Sequence, residues 1–285
     1  MQGKGYSGGS LSEMRIRTKS LSLIGASVAL AMSMAAPAEA NHSWGGYHWA
    51  RTSNPFTLKL GNNVSGTWNQ YLNTTRDSWN GSKSTTGSPV VFTVVAGSSG
   101  RNCKAVKGTV QVCNANYGFN GWLGVAQIWL TGDHITQGSV KLNDSYFNTA
   151  TYNTPAWRNL VSCQEVGHTL GLDHQDEVFT NPNLNTCMDY TNNPSTNQFP
   201  NQHDYDELWT IYTHLDSTTT VASSTAPGTS GFSLPDDGGA GPSQWGRAVA
   251  FTGDGRGRIF ELDVGGGKRM ITFVTWAPSA PHGPN

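Results

Sequence analysis

The first regular hydrophobic pattern along the chain has the spacing of an α-helix. Between residues 65 and 82, the larger side chains recur at offsets of three, four, seven and eleven, which places them on one helix face. They are Trp68, Tyr71, Leu72, Thr75 and Trp79. Ser65 is predicted to cap this helix, and Asn80-Gly81-Ser82 is predicted to end it. The aromatic residues of this face are expected to lie in the core.

Short runs of apolar and β-branched residues predict strands around this helix. The runs cover residues 56–60, 90–95, 104–112, 124–130 and 139–143, and a short apolar segment at residues 46–51 precedes them. The run at residues 90–95 is β-branched nearly throughout, which predicts burial on both faces of a sheet. The run at residues 139–143 is predicted to pair with the run at residues 124–130.

Two further helices are predicted from their start signals. Thr154 followed by Pro155 is a hydroxyl cap and then a ring with preset φ, so a helix is predicted over residues 154–170. Asn201 is predicted to cap a last helix, whose acidic residues suit the positive helix N-terminus. The buried stripe of this helix is predicted to be Tyr205, Leu208, Trp209, Tyr212 and Leu215.

The C-terminal region contains two segments of different composition. Residues 217–242 are rich in Ser, Thr, Gly and Pro and indicate a flexible linker. Beyond the linker, residues 245–251, 258–264 and 270–276 have strand character, and the glycines at residues 253–257 indicate a hairpin turn. The sequence leaves open whether this tail docks on the rest of the chain or forms a small β module of its own.

The N-terminus has the order of a secretory signal. Basic residues precede an apolar run at residues 21–36, which closes with Ala38-Glu39-Ala40. This order predicts a signal peptide cleaved after Ala40, and Met14 is an alternative start to Met1 because the basic region begins directly after it. The run is too short to span a membrane, and no later stretch approaches the about 18 apolar residues that a span needs. We therefore expect a secreted protein with no membrane segment after cleavage.

Composition and charge narrow the class of protein. The 285 residues are 36% hydrophobic and include ten Trp, enough for one sizeable domain with additions. Charged residues make up only 13%, a balance that suits a loop-rich extracellular protein. From residue 41 onward there are 14 Lys and Arg against 17 Asp and Glu, a net charge of −3 without a basic cluster. Nucleic-acid binding is therefore not expected.

Four cysteines remain after the predicted signal peptide. They are Cys103, Cys113, Cys163 and Cys187. An even number in an exported chain favours two disulfides among three possible pairings. Cys103 with Cys113 would close a short loop, and Cys163 with Cys187 would tie the predicted helix at residues 154–170 to a later segment. A cysteine zinc site is disfavoured because no Cys-x-x-Cys pair exists.

The densest group of chemically competent residues lies at the end of the predicted helix at residues 154–170. Gln164 and His168 are four positions apart and share a helix face, with Glu165 beside them. Gly171 can adopt the left-handed conformation and reverse the chain. That reversal would return His174 toward the same point. Two ligands and a base can then meet at one ion.

This pattern resembles the extended zinc motif of the metzincin metalloproteases, His-Glu-x-x-His-x-x-Gly-x-x-His, with Gln164 in place of the first histidine. The resemblance covers about residues 46–216. It implies a methionine turn beneath the zinc site, for which Met188 lies at a fitting distance, and a tyrosine two residues later that can reach the metal or the oxyanion, here Tyr190. A cystine between Cys163 and Cys187 would link the motif helix to this turn.

The resemblance assigns a role to each site residue. His168 and His174 are the expected Zn²⁺ ligands, Glu165 the general base, and Tyr190 a group that stabilises the oxyanion. Gln164 offers only a carbonyl oxygen, a poorer zinc donor than imidazole. It can coordinate through that oxygen, leave the place to Tyr190 or a second water, or belong to a site that has lost its metal. A further interpretation takes these residues as ordinary polar side chains of a helix and a loop.

The implied fold is α+β and occupies residues 41–216: a mixed twisted sheet, a long active-site helix, a methionine turn and a C-terminal helix. The signal peptide at residues 1–40 precedes it, and the linker at residues 217–242 and a small β segment at residues 243–285 follow. In this fold His203 and His214 are interpreted as surface or packing residues.

The expected function is that of a secreted zinc-dependent endopeptidase. Its protein or peptide substrate would pair with an exposed edge strand at residues 125–130. The alternative is a catalytically silent metzincin-like domain that binds a surface polymer or a partner protein. Serine and cysteine hydrolases are disfavoured, because no nucleophile-elbow pattern occurs and the cysteines are expected to be oxidised.

Overall fold

The computed structural model describes residues 42–99, 102–222 and 242–278. The predicted signal peptide at residues 1–40 lies outside the described residues, as does the part of the predicted linker at residues 223–241. In the part of the chain that the structure describes, no helix has the length and apolar character needed to cross a membrane.

One nine-stranded sheet dominates the described residues, and its strands follow the order β3-β2-β4-β6-β5-β9-β8-β7, with β1 paired to β6 beside this path. The strands are β1 (His48–Trp49), β2 (Phe56–Asn63), β3 (Val90–Ala96), β4 (Thr109–Ala115), β5 (Trp122–Thr131), β6 (His134–Asn143), β7 (Arg247–Phe251), β8 (Gly257–Gly265) and β9 (Lys268–Trp276). The α-helices are α1 (Trp68–Asp77), α2 (Asp144–Phe147), α3 (Pro155–His168) and α4 (Gln202–Ile211), to which a π-helical turn (Ser78–Ser82) and a 3₁₀ turn (Pro242–Gln244) are added.

The sheet changes direction at β5. β2 pairs in parallel with β3 and β4, and β6 in parallel with β1 and β4. β5 is antiparallel to β6, and β7, β8 and β9 continue antiparallel from it. α1 and α3 pack against each other, and α3 also contacts β5, β6 and β9. The predicted α+β class, with a mixed sheet and few helices, is therefore confirmed at this level.

The first helix begins later than predicted. Its N-cap is Thr67 rather than Ser65, because Gly66 adopts a left-handed φ of 60° that no helix can include. The α-helix ends at Asp77, and the π-helical turn that follows it ends at Ser82, directly after Gly81 with its φ of 95°. Trp79 lies in this turn, fully buried, and its indole N–H donates to the carbonyl oxygen of Cys163 at 3.0 Å.

The prediction that residues 90–95 are buried on both faces is wrong. Val90 and Phe92 are buried, whereas Val91 and Thr93 between them are exposed. β3 is the last strand of the sheet on its side, and only its inward face packs against the core. Alternate residues therefore point to solvent, as in any half-covered edge strand.

The caps of the two later helices are confirmed. The hydroxyl of Thr154 accepts the N–H of Trp157 at the start of α3, and Asn201 forms a capping box with Asp204 at the start of α4. The predicted buried stripe of α4 is wrong at Leu215, which is 56% exposed, and Trp209 is only half-buried. α4 ends at Ile211, so the helical spacing no longer governs where Leu215 points.

Both disulfides are formed as the sequence favours, Cys103 with Cys113 and Cys163 with Cys187. Two disulfides without a free cysteine indicate folding in an oxidising environment. The second cystine joins α3 to the loop that carries Met188. This is the link that the resemblance implies.

The C-terminal tail docks on the main sheet. β9 pairs along its whole length with β5, from Trp122 opposite Trp276 to Thr131 opposite Lys268, and β8 and β7 follow it outward. The glycine-rich segment between β7 and β8 is the predicted hairpin turn. Because β5 has β6 on one side and β9 on the other, it is not an edge strand. The prediction of an exposed edge at residues 125–130 is therefore wrong.

Candidate active site

The candidate site lies at the end of α3 and is closed to solvent. Gln164, Glu165 and His168 are all fully buried on this helix. After the helix, Gly171 adopts a φ of 94°, and a Cβ there would lie 2.0 Å from the carbonyl oxygen of Tyr47. Glycine is thus required both for the turn and for the close backbone approach. The reversal returns His174 to the helix, as the sequence predicts.

His168 and His174 face each other through their Nε2 atoms. The two nitrogens lie 3.0 Å apart. The Nδ1 of His168 lies 2.9 Å from the carbonyl oxygen of Leu172, which accepts its hydrogen and leaves the lone pair on Nε2. Two ligands of one tetrahedral zinc stand about 3.3 Å apart, given Zn–N bonds of about 2.0–2.1 Å. The histidine pair therefore fits one ion.

Burial keeps both imidazoles neutral. Burial first, and the neighbouring His174 second, lower the pKa of His168 well below its ordinary value. Burial likewise lowers the pKa of His174, although Asp173 raises it in part. Neutral imidazole is the form that binds a metal.

A methionine lies directly beneath the helix. Met188 is fully buried, and a Cβ at Gly167 would lie 2.6 Å from its sulfur. Gly167 thus allows the loop to approach α3 more closely than any other residue would. The backbone N–H of Gln175 donates to the carbonyl oxygen of Met188 at 2.6 Å, which connects this loop to the segment that carries His174.

Glu165 occupies an apolar pocket between α3 and β5. A Cβ at Gly124 would lie 2.5 Å from its Oε1, so β5 approaches the carboxyl group closely. Neither carboxyl oxygen has a hydrogen bond of normal geometry. Burial raises the pKa of Glu165 to about 8, and nearby groups of Thr275 and Ala126 lower it only in part. At neutral pH the carboxyl group is therefore mostly protonated in this closed arrangement.

Gln164 does not point a free oxygen at the histidines. Its Oε1 accepts the hydroxyl hydrogen of Thr275 at 2.6 Å, and its Nε2 has no partner among the described residues. Tyr190 is engaged in a similar way: its hydroxyl donates to the carbonyl oxygen of Val274 at 2.8 Å, and its ring lies 4.2 Å from that of His174. Two predicted site residues are thus held by the C-terminal tail.

Three consecutive residues of β9 close the site. Phe273 stacks on His168, with ring centres 4.4 Å apart and planes within 7° of parallel. The carbonyl oxygen of Val274 accepts the hydroxyl hydrogen of Tyr190, and the hydroxyl of Thr275 donates to Gln164. These three residues stand opposite Ala126, Val125 and Gly124 of β5. An extended peptide segment therefore fills the position next to the predicted catalytic residues.

A buried ion pair fastens the tail beside the site. Arg258 on β8 is 7% exposed, and its guanidinium contacts Asp173 at 2.5 Å and Glu177 at 2.7 Å. Burial alone would raise the pKa of Asp173, but hydrogen bonds and charge from His174 and Arg258 hold it below its ordinary value. Asp173 is therefore an anion that the cation on the tail neutralises.

The donor set fits a catalytic zinc only in part. His168 and His174 fit as two ligands, whereas the oxygen of Gln164 and the hydroxyl of Tyr190 are committed to β9 in the described arrangement. A third protein donor therefore becomes available only if β9 releases one of them.

Comparison of the chain with models of known protein families gives no match, and comparison with curated proteins gives none either.

The residues that the tail contributes to the site do not follow from the sequence. Phe273, Val274 and Thr275 belong to the run predicted as a strand, but the sequence does not identify the strand with which it pairs. Arg258 carries a usable signal, because an arginine at the head of an apolar strand is buried only with an anion nearby.

Proposed function

We propose that this protein is a secreted, zinc-dependent endopeptidase whose own C-terminal strand occupies the substrate position. The observation that carries the proposal is the pairing of β9 with β5, which sets Phe273, Val274 and Thr275 against His168, Tyr190 and Gln164. Strand addition is a common way for clefts to bind extended peptides. A cleft that accepts this strand has the shape and hydrogen-bonding edge for a peptide substrate.

The motif residues supply the chemistry in this proposal. His168 and His174 would hold the ion, and a bound Zn²⁺ supplies a Lewis acid and an acidified water. Once release of the tail exposes Glu165 to water and its carboxyl group ionises, Glu165 would accept a proton from the attacking water and deliver it to the leaving amine. The hydroxyl of Tyr190 is free to donate to an oxyanion once it leaves the carbonyl of Val274. Release of Thr275 frees the oxygen of Gln164 as the third donor.

The second candidate function is a silent binding module with the same cleft. It is favoured by the hydrogen bond between Gln164 and Thr275, which uses the glutamine as a peptide-binding group. The high pKa of Glu165 favours it too, because a protonated carboxyl cannot act as a base. In this case the cleft would exchange its own strand for a strand of a partner protein.

Hydrolysis of a mixture of unstructured peptides, with one equivalent of Zn²⁺ and products identified by mass, separates the two functions. Arg258→Ala removes the buried cation that fastens the tail. Loss of one partner of a buried ion pair costs about 3–5 kcal/mol. Since each 1.4 kcal/mol changes an equilibrium constant about tenfold, the population of the open form should rise by about 100-fold or more. We expect new peptide products from this variant and none from Arg258→Ala combined with Glu165→Gln.

Two results decide against the peptidase. One is an Arg258→Ala protein that exposes β5, as shown by hydrogen exchange, yet cuts no peptide. The other is hydrolysis that persists when Glu165→Gln is added. The first result together with peptide binding would favour the silent module.

A further inference from the structure

A second group of histidines, outside the cleft, surrounds a single carboxylate. His48 lies on β1, His134 at the start of β6, and His214 and Asp216 follow α4. The Oδ1 of Asp216 lies 3.6 Å from the Nε2 of His48, 3.1 Å from that of His134 and 3.8 Å from that of His214. The Nε2 atoms of His48 and His214 are 3.0 Å apart. Four donor atoms thus gather from three parts of the chain.

These separations match the spacing of metal ligands. Two donors of one tetrahedral zinc stand about 3.3 Å apart, and the separations here run from 3.0 to 3.8 Å. His48, His214 and Asp216 each offer one atom within 4.8 Å of the other two. His134 approaches the same carboxylate oxygen at 3.1 Å but does not belong to this set of three.

Neighbouring groups orient the donors. The Nδ1 of His48 lies 2.8 Å from the carbonyl oxygen of Gly46, which fixes the hydrogen on Nδ1 and leaves Nε2 as a lone-pair donor. The Oδ2 of Asp216 accepts hydrogen bonds from the side chain of Arg51 at 2.9 Å and from its backbone N–H at 3.1 Å. Oδ1 remains to face the histidines. Such outer contacts are typical of metal sites.

The cluster is open to an ion from one side. The side chains of His48 and Asp216 are 7% and 10% exposed, whereas those of His134 and His214 are 38% and 53% exposed. Imidazole and carboxylate donors together form a ligand set that suits Zn²⁺.

We propose that His48, His214 and Asp216 bind a Zn²⁺ ion in a structural role. The ion joins β1 to the segment after α4. Since the donors come together only in the folded chain, the binding free energy adds to the free energy of folding. This proposal does not depend on the peptidase function. It also revises the interpretation of His214 as a surface or packing residue.

A network of hydrogen bonds without metal is the competing explanation of this cluster. In that case the Nε2–H of His214 donates to the Nε2 of His48, and the imidazoles and carboxylate need no ion. Removing one histidine would then change stability in the same way with and without zinc. A metal site makes the effect of the histidine depend on zinc.

The test measures metal binding to the full chain after removal of metal with a chelator. Co²⁺ is added as a spectroscopic probe, and Zn²⁺ affinity is measured by competition with a chromophoric chelator. The variant is His214→Gln, whose side chain is half exposed, and the matched control is His203→Gln, a histidine of α4 outside the cluster. His48→Gln is a second variant if His214→Gln folds poorly.

We expect the unmodified chain and His203→Gln to give the absorption of tetrahedral Co²⁺ and to be stabilised against heat by Zn²⁺. His214→Gln should lose this absorption and lose one equivalent of tight Zn²⁺. Its affinity should fall by more than the roughly 10–100-fold that loss of an outer contact costs. Equal Zn²⁺ affinity and equal thermal shift in His214→Gln and His203→Gln would overturn the proposal, as would an unmodified chain that takes up no Co²⁺ in tetrahedral form.

The outcome is separable from that of the peptidase proposal. His168→Gln removes a predicted metal ligand of the cleft without touching the second cluster. Tetrahedral Co²⁺ binding that depends on His214 but survives His168→Gln supports this site even if no peptide is ever cut.

Discussion

At the scale of single residues, Gln164 determines what the cleft can bind. A carboxamide is a poor zinc donor but a good hydrogen-bond partner, and here its oxygen holds the hydroxyl of Thr275 at 2.6 Å. The contact joins α3 to the tail that closes the cleft. The weak zinc donor and the hydrogen bond that holds the tail are therefore the same side chain.

Gln164→His is predicted to raise zinc affinity in the open form of the protein and to have little effect in the closed form. An imidazole supplies a third nitrogen donor once Thr275 has moved away. Zinc affinity is measured by chelator competition in the unmodified and Arg258→Ala backgrounds, with the exposed Gln70→His as control. An equal affinity for Gln164→His and Gln70→His in the open background would show that position 164 is not at the ion.

A second prediction concerns the two arginines of the tail. Arg258→Ala leaves Asp173 without its buried partner and should lower the free energy of unfolding by about 3–5 kcal/mol. Arg247→Ala is the control, because its side chain is 74% exposed and its pair with Glu261 is worth about 0–1 kcal/mol. Chemical denaturation measures both. Similar losses from the two variants would contradict the role given to Arg258.

At the scale of elements, β9 converts β5 from an edge into an interior strand. Its pairing removes the unpaired N–H and C=O groups that a substrate would use. The apolar and aromatic residues of β9 bury the site from above. The same pairing therefore both completes the sheet and prevents access to His168 and His174.

Hydrogen exchange should show that the pairing of β9 with β5 opens without unfolding of the other strands. In Arg258→Ala the amides of β5 and β9 are expected to exchange faster than in the unmodified protein, because local opening needs less free energy. The amides of β2 and β4, on the other side of β6, should remain better protected than those of β5 and β9. Exchange is measured by mass spectrometry, and equal protection of all these strands in the variant would argue against a separate opening of the tail.

The elements and the caps could be predicted because their causes are local. The hydroxyl of Thr154, the side chain of Asn201 and the turn at Gly171 act within a few residues, and each lies where the sequence predicts. The exposure of Val91 and of Leu215 could not be predicted, since it depends on where a sheet stops and where a helix ends. Alternation of apolar and polar residues indicates a strand but does not identify the strand with which it pairs.

At the scale of the whole molecule, the two ends of the described chain converge on the candidate sites. The C-terminal strand covers the cleft, and the N-terminal β1 supplies a ligand to the second histidine cluster. From sequence, the motif residues could be identified by their spacing. The histidine cluster could not, because its members are separated by most of the chain and only the fold brings them together.

The disulfides belong to this scale as well. In the chain-entropy account, loops of 10 and 24 residues correspond to about 2.7 and 3.5 kcal/mol. Replacing Cys163 and Cys187 by serine should therefore cost slightly more stability than replacing Cys103 and Cys113. Only the first replacement should also weaken zinc binding at the cleft, since it releases the Met188 loop from α3. Equal effects of both replacements on zinc binding would contradict this assignment.

The most direct measurement compares peptide hydrolysis before and after the tail is cut away. A recognition sequence for a specific protease is placed within residues 223–241, the folded protein is cut, and the fragment that carries β9 is separated. We predict that the intact protein with Zn²⁺ is nearly inactive, that the cut protein hydrolyses peptides, and that adding the fragment back restores the inactive state. A cut protein that stays folded and binds Zn²⁺ but is no more active than the intact one would contradict the account.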